Sequence, residues 1–475
     1  MILTITCLEG VTERTTHMSI LSELKVVSDL SSVGFNTNTL FDLATGKFVQ
    51  GFDGEWYLSG GLSAHINMFV GMSSQFKSTL ANSLAMRCAG IYDDVEVDYI
   101  IKDSEQALSK DKTRAVKMAG EFYTKELESR IIWLDSVHYN LNNTDAFIRD
   151  CCNKRMEHKK KLTIETPFVD GMTGERIKVW SPMFVLIDSL SMLKADIEEE
   201  MLDANASKGL GDSKLNTLNM IDGGKKTIFT AAMRRRCQQY GIVFIATGHY
   251  DTQIQMDPYS VVPKDTLFTK GGYKVKGCGS DIKFLASIYA RCQASLLQDS
   301  AKLAMYSDNT TLAKDIYEVA LLIERCKTAN AGEVTPFVVS QGSGLLNVVT
   351  NYHYLRLNNY FGLEGNKQKQ QCALYPELTI SRNTVRELAD TTPQLRRALE
   401  LTAQYCYIRT NWNTKDMPYD FSKSPTELFD KLNSDKNKTL ITDILNTRGF
   451  WTYKKHALPY MSLFKVLELA GSKLG

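Results

Sequence analysis

The sequence predicts an α/β fold: a mostly parallel sheet flanked by helices, with a small docking region before it and a mainly helical region after it. Three observations lead there. Apolar runs at 66–70, 97–101, 184–188 and 242–246 are continuous rather than alternating, as in strands buried on both faces. Stretches with helical spacing separate them, the pattern of strands joined by crossovers. Several of the runs end in an acidic or polar residue, at the place where open α/β sheets hold their chemistry.

The composition sets limits on function. The chain has 475 residues, enough for two or three domains, and is 43% hydrophobic and 23% charged. No apolar run approaches the ~20 residues of a membrane-spanning helix. The first residues lack a basic segment followed by an apolar core, so no export signal is expected. The ten cysteines have no metal-ligand spacing and read as reduced thiols of a cytosolic protein. A net charge of +2 makes any nucleic-acid contact depend on local basic patches.

Residues 1–50 form the leading region. Ile20, Leu21, Leu24 and Val27 have helical spacing, and 35–46 reads as a turn and short helix ending at Gly46. This helix either caps the core or docks on a neighbouring subunit. Gly60 and Gly61 permit a tight turn before the strand at 66–70. That strand reaches Gly71. Met72, Ser73, Ser74, Gln75, Phe76, Lys77, Ser78 and Thr79 follow, and a helix runs over 79–88. Strand, loop, Lys-Ser and helix make the layout of a phosphate-binding P-loop. Loop N–H groups and a helix N-terminus cradle phosphates. Lys77 would add a cation at the β/γ-phosphates and the Ser78 hydroxyl would ligate Mg²⁺. Phe76 departs from the pattern, because a glycine belongs there.

Past the run at 97–101, Glu105 is placed to orient and deprotonate an attacking water. A polar helix is expected over 113–130, a strand over 130–134 and a helix over 144–158. The basic run Lys154, Arg155, Lys159, Lys160 and Lys161 reads as a solvated helix end. Asp170, Gly171 and Gly174 predict a hairpin turn with positive φ. The run at 184–188 ends in Asp188, the Walker B layout, opposite Ser78 across a Mg²⁺ water shell. Residues 194–224 read as a polar loop, 227–240 as a helix and 242–246 as a buried strand. That strand leads to Thr247, Gly248 and His249, with His249 a candidate sensor of the γ-phosphate.

Residues 250–281 lack periodicity. Lys264, Lys270, Lys274 and Lys276 alternate there with Tyr259, Phe268 and Tyr273 among glycines. Cations for phosphates and rings for bases suit single-stranded nucleic acid; a disordered surface loop would read the same way. Strands are expected at 282–290, 317–323 and 337–339, the late ones forming an antiparallel edge. Residues 351–475 are rich in Tyr, Asn and Lys, with helices near 381–388, 393–407 and 459–469 and no catalytic constellation.

In this order on these elements, the motifs resemble RecA-type recombinases, with the nearest likeness to the UvsX-like recombinases of large tailed bacteriophages. The residues that carry it are Gly60-Gly61-Leu62, Phe76-Lys77-Ser78, Asp103-Ser104-Glu105, Asp188-Ser189, Ala232-Met233-Arg234, His249, Lys283 to Ser287, and Glu324 to Thr328. Phe-Lys-Ser is a feature of that group, so Phe76 becomes a family mark. The resemblance implies a RecA-like P-loop ATPase core over 51–350, an oligomerisation region over 1–50 and an accessory domain over 351–475. It implies ATP and Mg²⁺ as cofactors, with Gly71 to Thr79 on the phosphates and Lys77 and Ser78 in the roles given above. Glu105 would be the catalytic glutamate, Asp188 the Walker B acid, and His249 the link from the γ-phosphate to the loop beyond it. Segments 194–224 and 250–281 would contact DNA. Arg325 and Lys327 would reach a neighbour's ATP in trans.

The implied protein is a DNA-dependent ATPase that forms filaments on single-stranded DNA and pairs it with double-stranded DNA. Single-strand-binding and mediator proteins are the further partners, no membrane is involved, and the setting is the host bacterial cytoplasm. A ring-forming replicative helicase and a non-hydrolysing DNA-coating paralogue are the alternatives. Ser109 stands where relatives often carry an adenine-contacting Asp, and acids at 198–203 weaken the first loop as a DNA binder.

Overall fold

The structure, a computed structural model, describes residues 33–93, 98–195, 214–252, 273–278, 281–298, 305–306, 315–432, 439–454 and 457–474, with backbone only at 214–220, 251–252 and 273–274. It is an α/β protein built on one large mixed sheet. In chain order the strands of that sheet are β1 (Ile66–Gly71), β2 (Tyr99–Asp103), β3 (Ile131–Leu134), β4 (Met183–Asp188) and β5 (Ile242–Thr252). They continue as β6 (Tyr273–Val275), β7 (Ile288–Leu296), β8 (Ile316–Cys326), β9 (Val334–Ser340) and β10 (Gly344–Leu345). Their order across the sheet is β10-β9-β8-β7-β1-β5-β4-β2-β3, with β6 paired to the far end of β5. From β7 to β3 every pairing is parallel. β7 to β10 pair antiparallel and form one edge, as the sequence predicts.

The continuous apolar runs have the physical cause inferred from them. Ile66, Met68 and Val70 of β1 belong to one buried cluster, and Phe69 belongs to the cluster on the other face. Helix α1 (Lys77–Ile91) covers the Phe69 face with Leu80, Leu84 and Cys88. Helices α2 (Leu141–Glu157) and α3 (Lys214–Tyr240) cover the other with Ile148, Cys152, Phe229, Met233 and Cys237. Parallel strands need this double cover.

Several elements differ from the expectation. The helix expected over 113–130 is broken into Lys112–Lys117, a 3₁₀ turn at Gly120–Phe122, and Lys125–Ser129. Gly120 takes φ +61°, and the Thr124 hydroxyl caps the next helix by accepting from Leu127 N at 3.0 Å. Helix α3 begins at Lys214, inside the expected loop; Gly223 and Gly224 are carried within it. The strand expected from 282 opens instead as a helical turn, Ile282–Leu285, which buries Ile282 and leaves Phe284 exposed. Of the two turn glycines between strands Thr163–Val169 and Arg176–Trp180, only Gly174 takes positive φ.

The short helix Leu40–Thr45 is buried along its whole length and caps the core of its own chain. Residues 1–32, which hold the rest of the expected docking region, lie outside the described residues. Beyond Gly344, the helices Asn347–Leu357, Val385–Thr391 and Pro393–Asn411 are joined by a three-stranded antiparallel sheet, Leu363–Gly365, Gln370–Cys372 and Tyr375–Ile380. One apolar cluster runs from Val33 to Ala470, and the Trp451 indole N–H donates to Gly34 O at 3.1 Å. Among the described residues no helix is long and apolar enough to cross a membrane.

Candidate functional site

Four parallel strands deliver the candidate residues to one edge of the sheet. Asp188 of β4 pairs in register with Asp103 of β2, and His249 of β5 pairs with Gly71 of β1. This is the carboxyl edge, where loops and helix N-termini meet.

The 71–79 loop leaves β1 at Gly71. A Cβ there would sit 2.7 Å from the Cys292 carbonyl oxygen, so a close backbone approach explains the glycine. Met72, Ser73 and Ser74 are exposed. The amide of Ala294 on β7 donates to the Gln75 side chain and ties the loop down. Phe76 takes φ 55° and ψ 24°, the left-handed conformation, immediately before α1. This is the geometry for which glycine is preferred. The Phe76 ring lies on Tyr317 of β8, centroids 4.4 Å apart, and that contact helps offset the strain.

Lys77 is the first residue of α1 and is buried; its ammonium donates to Met72 O at 2.6 Å, curling back over the loop. Burial lowers its pKa, while the Glu105 and Asp188 carboxylates pull the other way. The Ser78 hydroxyl donates to Asp188 Oδ1 at 2.8 Å, and the Thr247 hydroxyl donates to the same oxygen. Asp188 is fully buried. Burial pushes its carboxyl up to about 6 against those two hydrogen bonds, and the Glu105 and Asp103 charges add to the rise.

Asp188 Oδ2 is buried and has no hydrogen-bond partner. A buried carboxylate with one oxygen unsatisfied, beside a serine hydroxyl, suits a hard divalent cation. Among the described residues no group of three or more His, Cys, Asp or Glu could hold a metal by itself. A cation at Ser78 and Asp188 would therefore need oxygens from a bound phosphate or water, which is the habit of Mg²⁺.

Glu105 lies on the turn after β2. Its Oε1 is 2.6 Å from His249 Nε2, and the His249 amide donates to Ser191 Oγ at 2.9 Å. Burial alone would raise the Glu105 pKa. The neighbouring Ser189 hydroxyl, then the His249 ring and the Lys77 ammonium, outweigh burial and hold the carboxyl below its ordinary value. The site thus joins a cation, a hydroxyl, two carboxylates and an imidazole. Such a set can hold a polyphosphate and remove a proton from water beside it.

Arg325 and Lys327 are not part of this constellation. Cys326 pairs with Ile288, and Ile288 pairs with Asn67 of β1. At ~3.3 Å per residue that is about 13 Å of strand away from Gly71, towards the opposite edge. There the Arg325 guanidinium donates to Lys283 O at 3.3 Å, and Lys327 lines a cleft with Lys47 and Val33.

Of the candidate DNA contacts, Lys264 and Lys270 lie outside the described residues, and Tyr273 and Lys274 are placed as backbone only. Lys276 is exposed in the turn after β6, and its amide donates to His249 O at 2.8 Å.

Three features escaped sequence reading. The Thr247 hydroxyl bonds Asp188 from 59 positions away. The buried pair Lys226–Asp222 closes at 2.7 Å and also reaches Ser191 O, although a lysine in a polar helix reads as solvated. The Asp103 carboxylate is buried, and only its neighbour Glu105 stood out as an acid of interest. The sequence matches no protein-family model and no curated protein.

Proposed function

We propose that this chain is a RecA-type recombinase: a DNA-dependent ATPase that assembles on single-stranded DNA and promotes pairing and strand exchange. What supports the reading above all is the convergence of Lys77, Ser78, Asp188, Glu105 and His249 on one sheet edge, from four separate strands. In this reading the 71–79 loop and the start of α1 hold the ATP phosphates, and Lys77 turns from Met72 O to the β/γ-phosphates. Ser78 and Asp188 would hold Mg²⁺, which would supply positive charge beside the phosphate oxygens. Glu105 Oε1 is engaged by His249, so Oε2 takes the proton of the attacking water. The water oxygen bonds to the γ-phosphorus as the bond to the ADP oxygen breaks.

Arg325 and Lys327, at the far edge, would complete the site of an adjacent copy. His249 stands at the base of the β5–β6 hairpin, from which the 253–272 segment departs, and so would join phosphate state to DNA contact.

Two measurements test the proposal. Lys77→Ala should abolish ATP turnover, and unchanged hydrolysis would refute the phosphate assignment. Electron microscopy with single-stranded DNA and a non-hydrolysable ATP analogue should show open helical filaments; closed rings would favour the helicase reading.

A further inference from the structure

Glu105 is held by a loop whose construction goes beyond ordinary turn chemistry. After β2 the chain passes Ser104, Glu105 and Gln106 and returns at Ala107 to Ser109. The amides of Ser104 and Glu105 both donate to the main-chain oxygen of Asp188, at 2.6 and 3.3 Å. Asp103 has 2% of its surface exposed. Its carboxylate accepts three amides on the return limb: Ala107 N at 3.3 Å on Oδ1, and Leu108 N at 2.8 Å and Ser109 N at 2.7 Å on Oδ2. Gln106, at the apex, takes φ +55°, which a side chain adopts only under constraint. Leu108 is buried and anchors the limb in the core.

We infer that Asp103 is the positioning residue for Glu105: its carboxylate closes the 103–109 loop and so fixes the catalytic glutamate against the Asp188 backbone. The inference rests on the ATPase reading and deepens it. A capping aspartate at a strand end is common and usually concerns only local stability. Here the loop it closes contains the proton acceptor, and the loop's other support is the residue assigned to the cation. A shift in the loop would move Glu105 and the attacking water relative to a phosphate held independently by the 71–79 loop. The bound state would survive and the reacting geometry would not, and misplacement near 1 Å can cost about 100-fold in rate.

Carboxylate chemistry is specifically required. Three N–H donors meet two acceptor oxygens, and an asparagine would turn its own NH₂ towards at least one of them. Asp103→Asn should therefore lower kcat by about 10- to 100-fold while KM and fluorescent-nucleotide affinity stay within about threefold. Turnover within twofold of wild type would overturn the inference. So would a parallel loss of nucleotide affinity, which would mark a merely structural role.

Hydrogen exchange on the wild-type protein is a second measurement that needs no folded variant. The amides of Leu108 and Ser109 should be strongly protected, and fast exchange there would overturn the assignment. The failure of the wider reading looks different. If the wild-type chain does not hydrolyse ATP with DNA present, the reading and the inference fall together. If Glu105→Gln is inactive and Asp103→Asn is normal, only the inference falls.

Discussion

His249 Nε2 lies 2.6 Å from Glu105 Oε1, which joins two strand tips separated by 144 positions in the sequence. This bond ties the candidate proton acceptor to the hairpin that leads into the 253–272 segment.

Glu105→Gln should lower turnover by at least about 100-fold, the usual worth of a positioned base, with nucleotide affinity within about threefold. His249→Ala leaves the carboxylate in place and removes its tether. It should lower basal hydrolysis less than Glu105→Gln does and lose most of the stimulation by single-stranded DNA. Phosphate-release assays with and without DNA check both variants; a His249→Ala enzyme still fully stimulated would break the proposed link.

Phe76 combines a left-handed backbone with a packed ring, and two substitutions separate the effects. Phe76→Ala loses the Tyr317 contact and keeps the backbone strain. Phe76→Gly loses the same contact and relieves the strain. The glycine variant should therefore be the more stable by about 1 kcal/mol, the known cost of left-handed geometry for a side chain. Denaturant midpoints compared at equal m-values decide it.

Asp42 provides the pH prediction. It is buried, and burial pushes its pKa up to about 6 against hydrogen bonds from Thr37 and Asn38. Its folded pKa lies above its unfolded one, so the folded chain binds more protons between about pH 4 and 6. The stability this group provides is present at the acid end and is lost as pH rises through about 6. Asp42→Asn removes the titration and turns an NH₂ towards backbone donors, so it should melt lower throughout. Its deficit should be largest near pH 4 and shrink by pH 7. A deficit that grows with pH would contradict the assignment.

Arg325→Ala with Lys327→Ala should leave nucleotide binding by the isolated chain within about twofold, because both residues lie towards the opposite edge from Gly71. DNA-stimulated hydrolysis should fall by about 1,000-fold or more if they act in trans. Mixing this variant with Lys77→Ala protein should restore part of the activity, because each supplies the half that the other lacks.

Much of the sheet was legible because buried parallel strands leave unbroken apolar runs, as from Phe184 to Ile187. Asp188 and Glu105 were legible because acids following such runs stand out. The start of α3 at Lys214 was not, since two glycines and many polar residues hide a helix that buries the Lys226–Asp222 pair. The turn Ile282–Leu285 was hidden for another reason. Four residues, three of them apolar, suit either period, and only tertiary packing settles which of them face inward. The roles of Thr247 and Asp103 depend on partners and loop closure that no local pattern encodes.

The two ends of the central sheet are chemically unlike. One edge gathers Lys77, Ser78, Asp188 and Glu105, and the other gathers Arg325 and Lys327. In the proposed reading, a body with a socket at one end and the matching plug at the other cannot satisfy itself. Two copies joined this way still leave one socket and one plug open, so growth has a direction and no natural last member unless the rotation per step closes a circle. Length would then be set from outside, by the strand being coated.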